Sequence, residues 1–541
     1  MKKVLCKMGR TALVLTLIVA MVSGCAAKTK KTAAPAESKS TSTEASSSAE
    51  TEPTTEPAAP LTVEIFDRGA TGASDPTNNY WTKWIQENAL KDLNLDVKFV
   101  SVPRSQEIDQ LNVLMAAGTA PDICFTYDIG TIYNYYKNNG IADLTSSLEQ
   151  NGSDLKNYLG DSILSMGQFG GKQYAIPAKR IVLGKYGTYI RKDWLDALNM
   201  PLPTTTEEYY QALKAFKEKN PGKVDHVIPL TATSDVAWRC ATILESFIEP
   251  NLSEETMYVN CPMGSFTLLL PGYIEGVRFL NKLYNEGLLD PQFALYKDDI
   301  QGDADTARGI VGSYIHAYDQ PLRSSPGIMD QLKTNVPTAE FVPIDTFKNA
   351  DGKYFKTNYS PNGINVIVPA ASKNIDGAVK YLNWMSKQPI RYYLETGEEG
   401  VNYDMVDGLP AMKAATGDMI MNSPNNIDYV LVVNGMEMDD PAKNIDVIAR
   451  SYPGYEDVFR EAYKISLNDG YTIPTLLDPI DSEAQFSNTL KEKQKEIFAK
   501  AITAKPEDFE NVWNAGIKEF LESGGQAIVD ERQKVWDANH Q

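Results

Sequence analysis

From residue 61 onward the apolar residues switch repeatedly between a two-residue period and a 3.6-residue period. Short strands alternating with amphipathic helices are the sequence sign of an α/β architecture, in which helices cover the faces of a sheet. Residues 61–66 alternate like a strand, and 67–79 form a polar, glycine-containing loop. Trp81, Trp84, Ile85 and Ala89 then share one helical face. A second strand is expected at 96–102, a second helix at 106–117 closed by Gly118, and a short buried strand at 121–125 running into Thr126, Tyr127 and Asp128. Farther along, Thr205 and Glu208 have capping-box spacing ahead of Tyr209, Leu213 and Phe216. A helix over 274–286 is stopped by Gly287, a strand at 364–368 precedes a helix at 375–385, and the chain from about 439 reads as mostly helical. Trp81, Trp84, Trp194 and Trp384 sit in helical patterns and are expected in the core, as are Tyr133, Tyr135 and Tyr136.

The chain begins differently. Lys2, Lys3, Lys7 and Arg10 precede an apolar run from 11 to 22, too short for a permanent membrane span and typical of a secretory signal. That run ends in Val22-Ser23-Gly24-Cys25, which resembles the bacterial lipobox, whose cysteine is acylated and becomes the mature N-terminus. Each buried CH₂ of an acyl chain contributes about 0.8 kcal/mol, so several chains on Cys25 would hold the protein to a membrane. Residues 25–60 contain no Val, Ile, Leu, Met or aromatic side chain. Such a segment cannot bury enough apolar surface to offset its ordering entropy, and it reads as a disordered tether reaching on the order of 30 Å.

The remaining length allows two or more domains with real cores. Acids outnumber bases 71 to 52, a net charge of −19, and removal of the signal makes the chain more negative still. A surface of that sign argues against nucleic acid as a partner. Only three histidines are present, His226, His316 and His540, and no zinc-binding pair or helix motif occurs. Phosphate-binding loop, nucleophile elbow and dinucleotide fingerprint are all absent. Nothing therefore proposes catalytic residues, a metal or a cofactor. Beyond Cys25 the mature cysteines are Cys124, Cys240 and Cys261, enough for one disulfide at most, with Cys240 and Cys261 the nearer pair in sequence.

Several segments resemble the family-1 extracellular solute-binding proteins, in particular the large lipoprotein branch of Gram-positive bacteria. Leu114-Met-Ala-Ala-Gly-Thr-Ala-Pro-Asp122 resembles that family's aspartate after an Ala-Gly turn, and Tyr174-Ala-Ile-Pro177 its first crossing between lobes. Tyr189-Ile-Arg-Lys-Asp-Trp-Leu-Asp-Ala-Leu198, Tyr284-Asn-Glu-Gly-Leu-Leu-Asp-Pro291, residues 361–385 and Glu398-Glu-Gly-Val-Asn-Tyr403 with Asp407-Gly408 follow in family order. The resemblance implies a two-lobed, type 2 periplasmic-binding-protein fold with an interlobe cleft and a helical C-terminal region. It implies a signal at 1–24, the tether at 25–60, one lobe from 61–178 with 361–408, and the other from 179–360 with 409–541. Some relatives carry a calcium loop after the tryptophan segment. Here that stretch is 220–229, with few oxygen ligands and Lys223 intruding, so no metal is expected.

In open α/β sheets ligands sit beyond the carboxyl ends of strands. That rule, applied to the implied lobes, selects Asp67 and Arg68 after the first strand, Tyr127 and Asp128 after the third, and Lys179 with Arg180 past the first crossing. Trp238 and Arg239 follow an Ile-Pro-Leu strand at 228–230, Tyr318 and Asp319 follow the apolar stretch 310–315, and Tyr359 and Asn362 flank the second crossing. Carboxylates and amides would bond sugar hydroxyls, an aromatic face would pack on a sugar ring, and lobe closure would bury the ligand. The function implied is a monomeric, membrane-anchored protein that captures a sugar or oligosaccharide for an ABC import permease. The rival functions are a polysaccharide-degrading surface lipoprotein, a sensor or adhesin on the same fold, and a binding protein for a peptide or other polar solute. A glycosidase needs two carboxyls about 5 to 9.5 Å apart, and the adjacent Glu398 and Glu399 point apart on a regular backbone.

Overall fold

The computed structural model describes residues 57–540 apart from 70–71, 263–265, 324–326, 414, 423–425, 475–477 and 479. The expected signal, Cys25 and the tether as far as residue 56 lie outside the described residues. The chain from Pro57 to Gln541 forms one compact unit. No described helix is long and apolar enough to cross a membrane.

The chain enters with β1 (Ala59–Asp67), β2 (Leu95–Pro103), β3 (Cys124–Thr126) and β4 (Ala175–Arg180). It then crosses to β5 (Tyr186–Arg191), β6 (Ile228–Leu230), β7 (Val311–Ala317) and β8 (Phe341–Ile344), and returns to the first body with β9 (Asn362–Ile367) and β10 (Val433–Asn434). Two four-stranded sheets result, in the orders β10-β4-β9-β3 and β8-β5-β7-β6. The parallel pair β1–β2 extends the first sheet, because Glu64 N–H donates to Ile123 O at 2.9 Å and Ile123 N–H to Thr62 O at 3.0 Å. Strand β1 begins two residues earlier than the expected tether boundary: Ala59 and Pro60 already pair with Leu95 and Asp96.

Both sheets are covered on two faces, and the period-two alternation says how. In β9, Val366 turns into a core with Ile65, Trp81, Phe125 and Trp384, while Ile367 turns into one with Leu111, Tyr133 and Phe169. In β5, Ile190 joins a core with Trp194, Leu213, Phe498 and Trp513, while Tyr189 joins one with Phe341, Met436 and Phe459. The C-terminal helices Asp481–Thr503 and Phe509–Phe520 thus complete the core of the second lobe. Residues Tyr429 to Val433, by contrast, pack in the core of the first sheet. The protein is a two-lobed α/β molecule.

Local signals set the element ends. Asn79 caps the helix Tyr80–Leu93 through a capping box with Thr82, and Asn94 ends it in the left-handed region at φ 54°. Gly118 ends the helix Glu107–Ala117 at φ 67°. Thr205 accepts from Glu208 N–H, but the Glu208 carboxylate bonds Thr204 instead of closing the box. Trp81, Trp194 and Trp384 are buried, and the half-buried Trp84 stacks on Tyr393 at 4.3 Å. Cys124, Cys240 and Cys261 are buried, free thiols, so Cys240 and Cys261, the nearer pair in sequence, form no bridge. In the 220–229 stretch the Asn220 side chain spans the turn, bonding both Val224 O and Val224 N–H.

Candidate functional site

Between the sheets lies a cavity of about 280 Å³. Ile129, Tyr133 and Phe169 line it from the first lobe, Lys185, Tyr258 and Arg532 from the second, and Asn358, Ser360 and Asn362 from the segment leading into β9. Its floor is two crossing segments side by side. Residues 181–185 carry the chain from β4 to β5, and Tyr359 N–H donates to Leu183 O at 2.9 Å, tying the return segment to them.

The floor presents aromatic faces and cations. Arg180, at the end of β4, donates from Nε to Asn362 O at 3.0 Å, and its guanidinium lies 4.3 Å over the Tyr359 ring. Lys185 Nζ stands 4.7 Å over Tyr186, 5.7 Å over Trp238 and 5.8 Å over Tyr359. Such contacts recover part of the solvation a cation loses on burial. Burial, reinforced by the nearby positive charge of Arg180, lowers the Lys185 pKa although Glu245 pulls the other way.

On the first-lobe side, Asp428 grips Arg68 through Nε at 2.6 Å and Nη2 at 2.8 Å, a two-point pair with the carboxylate fully buried. Arg104 lies 5.1 Å over Tyr127 and 2.8 Å from Glu107. Tyr127 OH accepts from Asn434 Nδ2 at 3.4 Å, and burial raises its phenol pKa against the opposing pull of Arg68. On the second-lobe side, Trp238 packs edge-on against Tyr186 at 5.0 Å, and its indole N–H points to His316 Nδ1 at 3.4 Å. Ala317 N–H donates to the same nitrogen at 2.7 Å, which places the imidazole proton on Nε2, facing Asp299 at 3.0 Å. Burial keeps that imidazole's pKa low.

Of the residues expected from the sequence, Asn362 lines the cavity, and Tyr359 is close to it in sequence in the crossing segment, near Arg180 and Lys185. Trp238 meets Lys185 on the second-lobe side, and Arg68 and Tyr127 are held on the first-lobe side by Asp428 and Arg104. Asp67 is exposed beside them and bonds Gly69 N–H at 2.9 Å. The others are used differently. Asp128 caps the helix Ile129–Lys137 and meets Lys491 at 3.2 Å, linking that helix to Asp481–Thr503. Lys179 faces the opposite side of β4 from Arg180, where it pairs with Glu437 and stacks on Tyr158.

Arg239 is fully buried, held by Asp299, Ile315 O and the Tyr314 ring, so it packs inside the second lobe rather than facing a ligand. Tyr318 is buried against Phe459 and Tyr463. Asp319 is buried too, with Arg323 on both oxygens and Tyr452 OH at 3.2 Å.

Arg104, Lys185 and Asp428 were not anticipated. The carboxyl-end rule applied to β2 would have found Arg104, whereas Asp428 meets Arg68 across 360 residues with no local signal. The cavity lining also carries the carboxylates Glu483, paired with Arg532 at 2.7 Å, and Asp478, which accepts from Asn539 Nδ2 at 2.8 Å.

Residues 74–389 match the profile of a family described as bacterial extracellular solute-binding protein. Lipoprotein LipO of Bacillus subtilis is 25% identical over 331 residues, 58% of this chain and 62% of that protein, so less than two thirds of its length is matched. The polygalacturonan/rhamnogalacturonan-binding protein YtcQ of the same organism is 23% identical over 62% of this chain and 69% of its own. Among solved structures, the alginate-binding protein AlgQ2 superposes with a TM-score of 0.63 at 18% identity, covering 89% of this chain and 99% of that one. That likeness carries the fold.

Proposed function

From the premise that the chain belongs to the bacterial extracellular solute-binding proteins, we propose that it captures a sugar or oligosaccharide between its lobes and hands it to an ABC import permease. The family and its structural neighbours are binding proteins, extracytoplasmic and not enzymes. The observation that carries the reading is the interlobe cavity floored by two crossing segments and lined by Tyr133, Phe169, Tyr258, Asn362 and Lys185. It is concave, bounded by both lobes, and offers aromatic faces with a few convergent polar groups, which is what a small polar ligand needs. YtcQ is a polygalacturonan/rhamnogalacturonan-binding protein and AlgQ2 an alginate-binding one, both carbohydrate binders.

The binding residues in this reading are Asp67, Arg68, Tyr127, Trp238, Tyr359 and Asn362, joined by Arg180 and Lys185. Lys179, Asp128, Arg239, Tyr318 and Asp319 support the walls. The lobes follow the boundaries 61–178 with 361–408 and 179–360 with 409–541, except that Tyr429 to Val433 go with the first lobe, whose core they fill. Cys25 carries the lipid that anchors the monomeric protein outside the cell membrane. A ligand favours the closed lobes only by binding that state better.

The test is a thermal-shift screen of the purified full-length chain against oligosaccharides, peptides and amino acids. A ligand at 100 times its Kd adds about 2.7 kcal/mol. A saturable rise with a saccharide, without its turnover, is the expected result. Response to peptides alone, or release of cleaved sugar, would overturn it.

A further inference from the structure

We propose that the ligand is acidic: the cleft floor is built for a carboxylate-bearing, uronate-type oligosaccharide, with Arg180 and Lys185 as its counterions. The inference rests on the solute-binding reading above and sharpens its substrate class.

It starts from which cations around the cleft have anions of their own. Arg68 has Asp428, Arg104 has Glu107, Lys179 has Glu437, Arg239 has Asp299 and Arg323 has Asp319. Arg180 and Lys185 have none among the described residues. Arg180 spends only Nε, on a backbone carbonyl, and keeps its two terminal nitrogens for something else. Lys185 lies over three aromatic rings and makes no hydrogen bond to a described side chain. The carboxylate that acts most on it, Glu245, is already committed to Thr357, through N–H at 2.7 Å and Oγ1 at 2.8 Å. In a chain with 71 acids and 52 bases, two neighbouring cations without carboxylates run against the composition.

Position completes the argument. Both cations share the Tyr359 ring, Arg180 at 4.3 Å and Lys185 at 5.8 Å, so they flank one aromatic platform. Lys185 and Asn362, the latter bonded to Arg180, both line the interlobe cavity. Burial chiefly, and the like charge of Arg180 in smaller part, lower the Lys185 pKa. A carboxylate entering between them relieves both penalties. Arg180 can take it in the two-point geometry that guanidinium and carboxylate share. A neutral hydroxyl bonds the same nitrogens but leaves the paired positive charge uncompensated.

The experiment is calorimetric titration of the full-length chain with short oligogalacturonates and oligoalginates, the same compounds methyl-esterified, and a neutral oligosaccharide. The expected result is tighter binding of an acid form, by at least about tenfold over its ester, with the gap narrowing as salt is raised. Arg180→Gln and Lys185→Gln should each shrink that gap, weakening the acid form more than the ester. A melting temperature near wild type without ligand is the check that each variant is folded. An ester or neutral sugar binding as tightly as the acid would overturn the inference and leave the solute-binding reading standing. Silence from every saccharide would sink that reading first, and the inference with it.

Discussion

Glu64 offers a sharp physical test of the first lobe. It points from β1 into the interior with 1% of its surface exposed, and its Oε2 accepts from Phe125 N–H at 3.1 Å. Burial is the largest reason that its pKa is pushed up to about 8, and the negative charge of neighbouring Glu107 adds to it. In the unfolded chain a glutamate titrates near its ordinary value of 4.5. The fold therefore holds a proton that the unfolded chain releases between these two values.

This arrangement keeps its full stability below about pH 4.5 and loses it as pH rises through about 8. At 1.36 kcal/mol for each pH unit between the two pKa values, the loss approaches about 5 kcal/mol at its ceiling. Glu64→Gln, close in shape and always neutral, should abolish most of it. Thermal melts of the two proteins from pH 5 to pH 8.5 should nearly coincide at the acid end. They should separate toward the alkaline end, with the variant more stable by about 2–4 kcal/mol at pH 8. Parallel profiles, or a variant less stable at both ends, would refute the reasoning.

Other consequences follow from single contacts. Gly187→Ala would place a Cβ 2.8 Å from the Tyr318 Cα, a backbone atom that cannot swing aside, and should cost about 1–3 kcal/mol in a denaturant melt. Trp81→Ala empties a fully buried site in the first-lobe core and should cost about 3–5 kcal/mol, read the same way. Tyr359→Ala removes the ring under both floor cations. It should weaken saccharide binding about tenfold or more in a calorimetric titration, while the melting temperature without ligand stays near wild type.

The architecture was legible because its signals are local. The alternation at 61–66, the helix closed by Gly118 and the helix 375–385 depend on residues a few positions apart, and these elements stand within a residue or two of expectation. The site was legible in part. Reading the second crossing placed Asn362 on the cavity and Tyr359 beside it, because both sit in the segment that returns the chain between the lobes. The rule that strands end at ligands misdirected at Tyr318 and Arg239, where the chain beyond the strand is covered by other elements: Phe459 and Tyr463 close over the first, and Asp299 with Tyr314 claim the second. Lys185 carries no local signal, because two of the three rings around it, Trp238 and Tyr359, come from distant segments to join the neighbouring Tyr186. The absence of a Cys240–Cys261 bridge was likewise beyond spacing alone, since only packing decides whether two buried thiols meet.

The central claim, that ligand is held between the lobes on the two crossing segments, is tested most directly by hydrogen exchange of the full-length chain with and without a bound saccharide. The account predicts added protection at residues 180–186 and 357–362, together with the loop after β3 in the first lobe and the stretch around Trp238 in the second. Protection confined to one lobe, or to the outer faces of the C-terminal helices with the crossings unchanged, would contradict it.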